Sequence, residues 1–210
     1  MSIANKQGAL SSKQIDRCKL LLGTTSRSLL GNSGDIMGPL IDNGGIVFEN
    51  TPTISAASTM SYVSYELMHT NYDLTAYQKT SVTDFQIQAA TLTAETTDRA
   101  EYMLAVIHFL RTFSKMNYGI SDPNAGMPPR ILKFYAYGEQ MFHGVPVALK
   151  SYTIHLPNNV DYVQTKFNTQ VPLMMEININ MSFMPTPSRL KREFSLQKFA
   201  NGSLIKKGYL

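Results

Sequence analysis

Residues 85–119 read FQIQAATLTAETTDRAEYMLAVIHFLRTFSKMNYG, and the hydrophobic period changes within them. Phe85, Ile87 and Ala89 alternate with Gln86, Gln88 and Ala90, the period of two that marks a strand with one buried face. From Tyr102 to Met116 the apolar residues Met103, Val106, Ile107, Leu110 and Phe113 fall at spacings of three and four, which predicts a helix with a wide apolar stripe. Asp98 and Glu101 form a capping-box-like pair at its start, Lys115 sits in its last turn, and Gly119 follows as a stop. Tyr102, Ala105 and Phe109 lie off the main stripe. One flat sheet cannot cover all of that apolar surface, so a second partner is expected, another subunit among the candidates.

The chain has 210 residues, enough for one medium domain with appendages. A single cysteine, Cys18, allows no internal disulfide and suits folding in a reducing compartment. No apolar run approaches the roughly 20 residues that span a bilayer, so a soluble protein made in a cytosolic compartment, with no membrane insertion, is the expectation. The net charge of +4 hides an asymmetry. Residues 1–30 carry five Lys/Arg against Asp16, residues 185–210 carry six against Glu193, and residues 31–184 hold 8 basic and 13 acidic groups. The body is acidic and both ends are basic, which argues against a duplex-binding core, because phosphate contacts need a concentrated positive face.

Outward from the central stretch, residues 1–45 read as an N-terminal extension. It contains a short amphipathic helix over 14–22, with Ile15, Cys18, Leu21 and Leu22 on one face, and then a glycine-rich linker. Residues 46–184 read as the main domain. Strands are predicted over 46–55, 61–70, 131–137, 145–156 and 171–184, the last expected to be the longest, with 71–81 as a loop or long hairpin. On that last strand Met175, Ile177, Ile179, Met181 and Phe183 face one way, and Glu176, Asn178, Asn180 and Ser182 the other. Three prolines and a glycine within 121–130 exclude a regular element there. Residues 185–210 read as a basic C-terminal tail with a short helix over 195–200. The sum is a mainly β protein: an antiparallel β-sandwich or barrel with one long helix at its side.

Catalytic chemistry finds little support. His69, His108, His143 and His155 lack zinc-site spacing, no phosphate loop is present, and Glu95 with Asp98 reads as a loop acid and a cap rather than an acid/base pair. No enzyme, metal or cofactor is expected. Twelve methionines and eleven tyrosines suit core filling and subunit contacts. A rival reading is a monomeric β-sandwich carbohydrate-binding module built on Tyr135, Tyr137 and Tyr152, and another is a cell-wall hydrolase, which needs a catalytic carboxylate in a cleft.

TPTIS (51–55), YELMHTNYDLTAYQKT (65–80), the block from Thr91 to Gly119, PPRILKFYAYG (128–138), VPVALKSYTIHLPNNVDYV (145–163), VPLMMEININM (171–181) and REFSLQKFANG (192–202) occur in that order. Together this set resembles a baseplate tail-tube protein of contractile-tailed bacteriophages, of the tube-initiator type. The resemblance implies a tail-tube fold assembled as a homohexameric ring within the virion, continuing the channel from the central hub and templating tail-tube polymerisation. Its implied partners are the adjacent hub and tail-tube rings, with sheath or wedge proteins as further candidates, and genomic DNA passing through the lumen without specific binding. On that view Tyr102, Phe109, Met116, Tyr72 and Tyr77 pack between subunits. Glu176, Asn178, Asn180 and Ser182 are candidates for the lumen face, and Arg189, Lys191, Arg192 and Lys198 for ring-to-ring or partner contact.

Overall fold

The computed structural model describes residues 17–120, 122 and 124–210. Among these the strands are β1 (Lys19–Leu22), β2 (Gly45–Val47), β3 (Thr53–Tyr65), β4 (Leu74–Thr93), β5 (Leu132–Ala136), β6 (Phe142–His155), β7 (Tyr162–Gln164), β8 (Gln170–Pro172) and β9 (Met174–Phe183). Helix α1 (Thr97–Phe113) follows β4, and two short helices, α2 (Pro187–Glu193) and α3 (Leu196–Ala200), follow β9. Seven strands form one antiparallel sheet in the order β2-β1-β5-β6-β9-β4-β3, and β7 pairs with β8 in a separate ribbon. The fold is mainly β, sandwich-like in that helix and ribbon cover one face of a large sheet, and the sheet does not close into a barrel.

The sheet is strongly curled. Phe85 on β4 and Phe134 on β5 meet edge to face with ring centroids 5.0 Å apart, although β9 and β6 lie between their strands. Three inter-strand steps would set those strands about 14 Å apart in a flat sheet, so their side chains converge across a concave face. Phe142 completes the cluster. Helix α1 fills the concavity with Met103, Val106, Phe109, Leu110 and Phe113, all buried.

The bulge that shapes β4 changes the phase of its alternation. Phe85 and Ile87 are buried as expected, but Ala89 is exposed with φ 52°, and Ala90, Leu92 and Ala94 are the buried residues beyond it. The register against β9 slips between Ile87 and Ala90, so Gln88 and Ala89 both face outward and the strand kinks. β4, with 20 residues, is also the longest strand, ahead of β9 with 10. It reaches well past the core to pair with β3.

The N-terminal region departs most from the sequence expectation. The part of the expected 14–22 helix that falls on described residues is strand β1, inside the sheet between β2 and β5. Cys18, Leu20 and Leu22 are buried, a period of two rather than 3.6. The glycine-rich run is no linker: it places Leu30 and Leu40 in the core and turns into β2 at Gly45. There φ is 152°, and a Cβ would lie 2.4 Å from the Leu20 carbonyl oxygen. No domain boundary falls at residue 45, while residues 1–16 lie outside the description.

The C-terminal tail is also part of the body. Leu204 and Tyr209 are buried, and Gly208 approaches so closely that a Cβ there would sit 2.5 Å from the Gly144 carbonyl oxygen. Lys206 pairs with Glu139 at 3.1 Å, and through that hydrogen bond and its charge holds the carboxyl below its ordinary range.

Candidate assembly surfaces

The β3–β4 hairpin runs beyond the core as a free arm. From Ser58 to Tyr65 it extends about 25 Å at the usual strand rise, paired with Leu74 to Val82 through a bulge next to Ser61. Ala56, paired with Phe85, marks where the core face ends. The same parity of β3 continues through Met60 and Tyr62 with nothing over them, and Tyr62 packs edge-on against Tyr77 at 5.7 Å while remaining 61% exposed. The other face carries Tyr65 opposite Leu74, both exposed. At the turn Leu67, Met68 and Tyr72 are exposed as well, Tyr72 by 87%. A two-stranded ribbon is marginal in water unless a surface covers it, and single exposed apolar residues are ordinary whereas a contiguous group is not. Tyr72 and Tyr77, expected in subunit packing, are both on this arm.

The other residues expected between subunits behave differently. Phe109 is 0% exposed and lies 4.5 Å from the Phe113 ring, inside the core of its own chain. Tyr102 is turned into its own fold, its hydroxyl hydrogen-bonded to the backbone of Val47. The helix's second partner is therefore internal: β2, the turn at Gly38–Leu40 and the β7–β8 ribbon cover the flank that a single flat sheet could not. Only Met116, 48% exposed beyond the helix end, is available to a neighbour. The helix start also differs from the expected capping box. Thr96 is the N-cap, accepting from the Arg99 amide at 3.4 Å, and Glu101 is buried and paired with Lys166 at 2.6 Å.

The polar face of β9 alternates as expected, with Met175, Ile177, Ile179 and Met181 buried beneath Glu176, Asn178, Asn180 and Ser182. Its neighbours extend it into a carpet, with Gln86, Gln88 and Thr91 on β4 and Ser151, Thr153 and His155 on β6. The side chains are tied together. Asn180 Nδ2 donates to Ser151 Oγ at 2.9 Å, Gln88 donates to Gln86 at 2.9 Å, and Asn178 accepts from the bulged Ala89 amide at 2.8 Å while donating to Glu176 at 3.3 Å. None of these positions is Lys or Arg. Lys150, at the register slip next to Ser151, lines a shallow recess with Gln86, Asn180 and Asp84.

Of the C-terminal cations, Arg189 is already engaged: it stacks over the Tyr209 ring at 5.5 Å, donates to the Lys207 carbonyl and pairs with Glu193. Lys191, Arg192 and Lys198 are exposed beside Phe194 and Leu196, which are exposed too.

The aromatic platform of the carbohydrate-binding reading does not form. Tyr135 packs edge-on against His143 at 5.3 Å and Tyr152 lies against the core, so only Tyr137 of the proposed aromatic platform stands free. Among the described residues no three His, Cys, Asp or Glu side chains are placed to hold a metal, and no helix is long and apolar enough to cross a membrane. One cleft of about 660 Å³ opens between β2, the Gly38–Leu40 turn and the start of α1. It contains the Arg99–Glu49 and Lys166–Glu101 pairs together with Arg17, Asp42 and Asp98, which are in none of the ion pairs among the described residues. The long hairpin allowed for over 71–81 is present, but its reach beyond the core and the β4 bulge escaped sequence reasoning. Alternation tells which residues share a face, not where the core under that face ends.

No protein-family model matches this chain, and no curated protein is significantly similar to it.

Proposed function

We propose that this chain is a structural, non-enzymatic subunit of a contractile phage baseplate, assembling as a hexameric ring that continues the tail-tube channel and templates the tube above it. The observation that carries the reading is the β3–β4 arm. A hairpin with uncovered apolar side chains on both faces has no function inside the monomer and is stabilised only by a neighbour. The ordered set of segments resembling tail-tube proteins supplies the identity of that neighbour: further copies of the chain and the rings on either side.

The β9 face supports a lumen role. Many of its amides and hydroxyls are bound to one another, and Lys150 beside them shares its recess with Asp84, so little positive charge is offered to a passing phosphate backbone. The exposed outer edge of β3 and the exposed cations Lys191, Arg192 and Lys198 are surfaces for the adjacent hub, tube, sheath or wedge proteins. Obligate contacts of this kind bury more than about 2,000 Å². Native mass spectrometry with negative-stain imaging of the concentrated chain, alone and with its hub-side partner, tests the proposal. Six-fold rings with a central bore are expected, and a chain that stays monomeric under both conditions overturns it.

A further inference from the structure

The tip of the β3–β4 arm and the helices α2 and α3 are both exposed and apolar, and they carry opposite charge. From Tyr65 to Leu74 the tip holds Glu66, Asp73 and His69 and no Lys or Arg. The arm's own cation, Lys79, lies further back along the ladder, opposite Ser61. Leu67, Met68 and Tyr72 surround the two carboxylates in sequence, Met68 exposed by 89%. The turn has a set shape, because the Thr70 hydroxyl lies 3.0 Å from the Leu67 carbonyl oxygen and 3.2 Å from that of Tyr72, bridging its two sides.

At the other end of the chain Lys191 and Arg192 stand in the last turn of α2 and Lys198 in α3, with the exposed Phe194 and Leu196 between them in the chain. Phe194 is anchored on one side, its ring 6.4 Å from Phe199 and 6.5 Å from the buried Tyr209. The acids beside this patch are already used, Glu193 by Arg189 and Glu139 by Lys206. Among the described residues Glu66, Asp73, Lys191, Arg192 and Lys198 are in no ion pair. Tip and patch are both open to solvent in the single chain, so they do not meet within one copy.

We propose that the arm tip of one copy seats on the α2–α3 patch of another. Leu67, Met68 and Tyr72 cover Phe194 and Leu196, while Glu66 and Asp73 face Lys191, Arg192 and Lys198. The apolar side chains supply the binding area and the charges set its orientation, since exposed ion pairs contribute little alone. The tip's internal hydrogen bonds limit the ordering lost on docking. Because tip and patch are different surfaces, the contact is heterologous and propagates from copy to copy, closing into a ring wherever its rotation allows. The inference rests on the reading of the arm as an assembly device, and it assigns the C-terminal cations to another copy of this chain rather than to a foreign protein.

The test mixes Met68→Cys and Leu196→Cys proteins under mild oxidation, with and without the hub-side partner. Cys18 is fully buried and stays silent. A disulfide joining one variant to the other, in excess over either homodimer, is expected. Glu66→Lys with Asp73→Lys, or Lys191→Glu with Arg192→Glu, should each weaken association several-fold in sedimentation, and one chain carrying all four should recover most of it. Six-fold rings without the mixed disulfide, or a Met68→Cys homodimer as the main product, overturn this contact and leave the ring reading standing. The mixed disulfide in open chains rather than rings upholds the contact and overturns the ring. Absence of any assembly overturns both.

Discussion

The hydroxyl of Tyr102 donates to the Val47 carbonyl and accepts from the Val47 amide, each at 2.8 Å. One side chain on the helix thus takes the place of a neighbouring strand, satisfying both backbone groups on the outer edge of β2. That edge is short and covered, whereas the opposite edge, β3, is 13 residues long and largely exposed. The two sides of the sheet are therefore unequal, as a directional assembly requires.

Tyr102→Phe should leave the Val47 amide and carbonyl without partners and destabilise the fold by about 1–3 kcal/mol. Urea denaturation should show the lower midpoint with an unchanged slope. Burial, and behind it the Glu49 carboxylate, push this phenol above its ordinary range against the pull of the Val47 amide. Above the ordinary tyrosine value of about 10 the unfolded chain loses this proton first, so stability declines as pH rises through that region. Tyr102→Phe should remove that component of the alkaline decline.

Cys18 gives a second alkaline effect in an earlier window. Burial pushes its thiol up to about 12. Stability linked to it is complete below the unfolded thiol value of about 8.5 and is lost as pH climbs towards the folded value. Cys18→Ala should flatten that window, at the cost of its own packing defect. In the native protein at neutral pH the thiol should resist alkylating reagents, and react fully only in denaturant.

Phe109→Ala should lose about 3–5 kcal/mol, the range for emptying a fully buried aromatic site, and Phe109→Asp should prevent folding. Circular dichroism and solubility would distinguish this from an interface role, in which either variant would yield a folded monomer unable to assemble.

Replacing residues 59–81 with an Asn-Gly turn, across the Ser58–Val82 pair of the ladder, should remove the arm and leave the core alone. The thermal midpoint should change by only a few degrees, while assembly should be abolished. A large loss of stability would mean that the arm supports its own domain.

The bulge at Ala89 offers a finer test. Ala89→Gly should relieve a left-handed backbone conformation at φ 52° and leave stability equal or up to about 1 kcal/mol higher. Asn178→Ala should lose about 1 kcal/mol, because the bulged amide then has no acceptor.

Much of this architecture is written locally. The alternation along Met174–Phe183 fixes a strand with a wet face, since side chains two apart on a strand can only share one side. Likewise the threes and fours from Met103 to Phe113 fix a helix. Short segments carry no such redundancy. Cys18, Leu20 and Leu22 fit a strand, while Cys18, Leu21 and Leu22 fit a helical face; pairing with β2 and β5, distant in sequence, selected the strand. The bulge at Ala89 and the inward turn of Tyr102 and Phe109 were settled the same way, by what lay opposite them after the sheet had curled. Periodicity belongs to a segment and can be read from it, but burial is a relation between segments, and only the packed chain defines it.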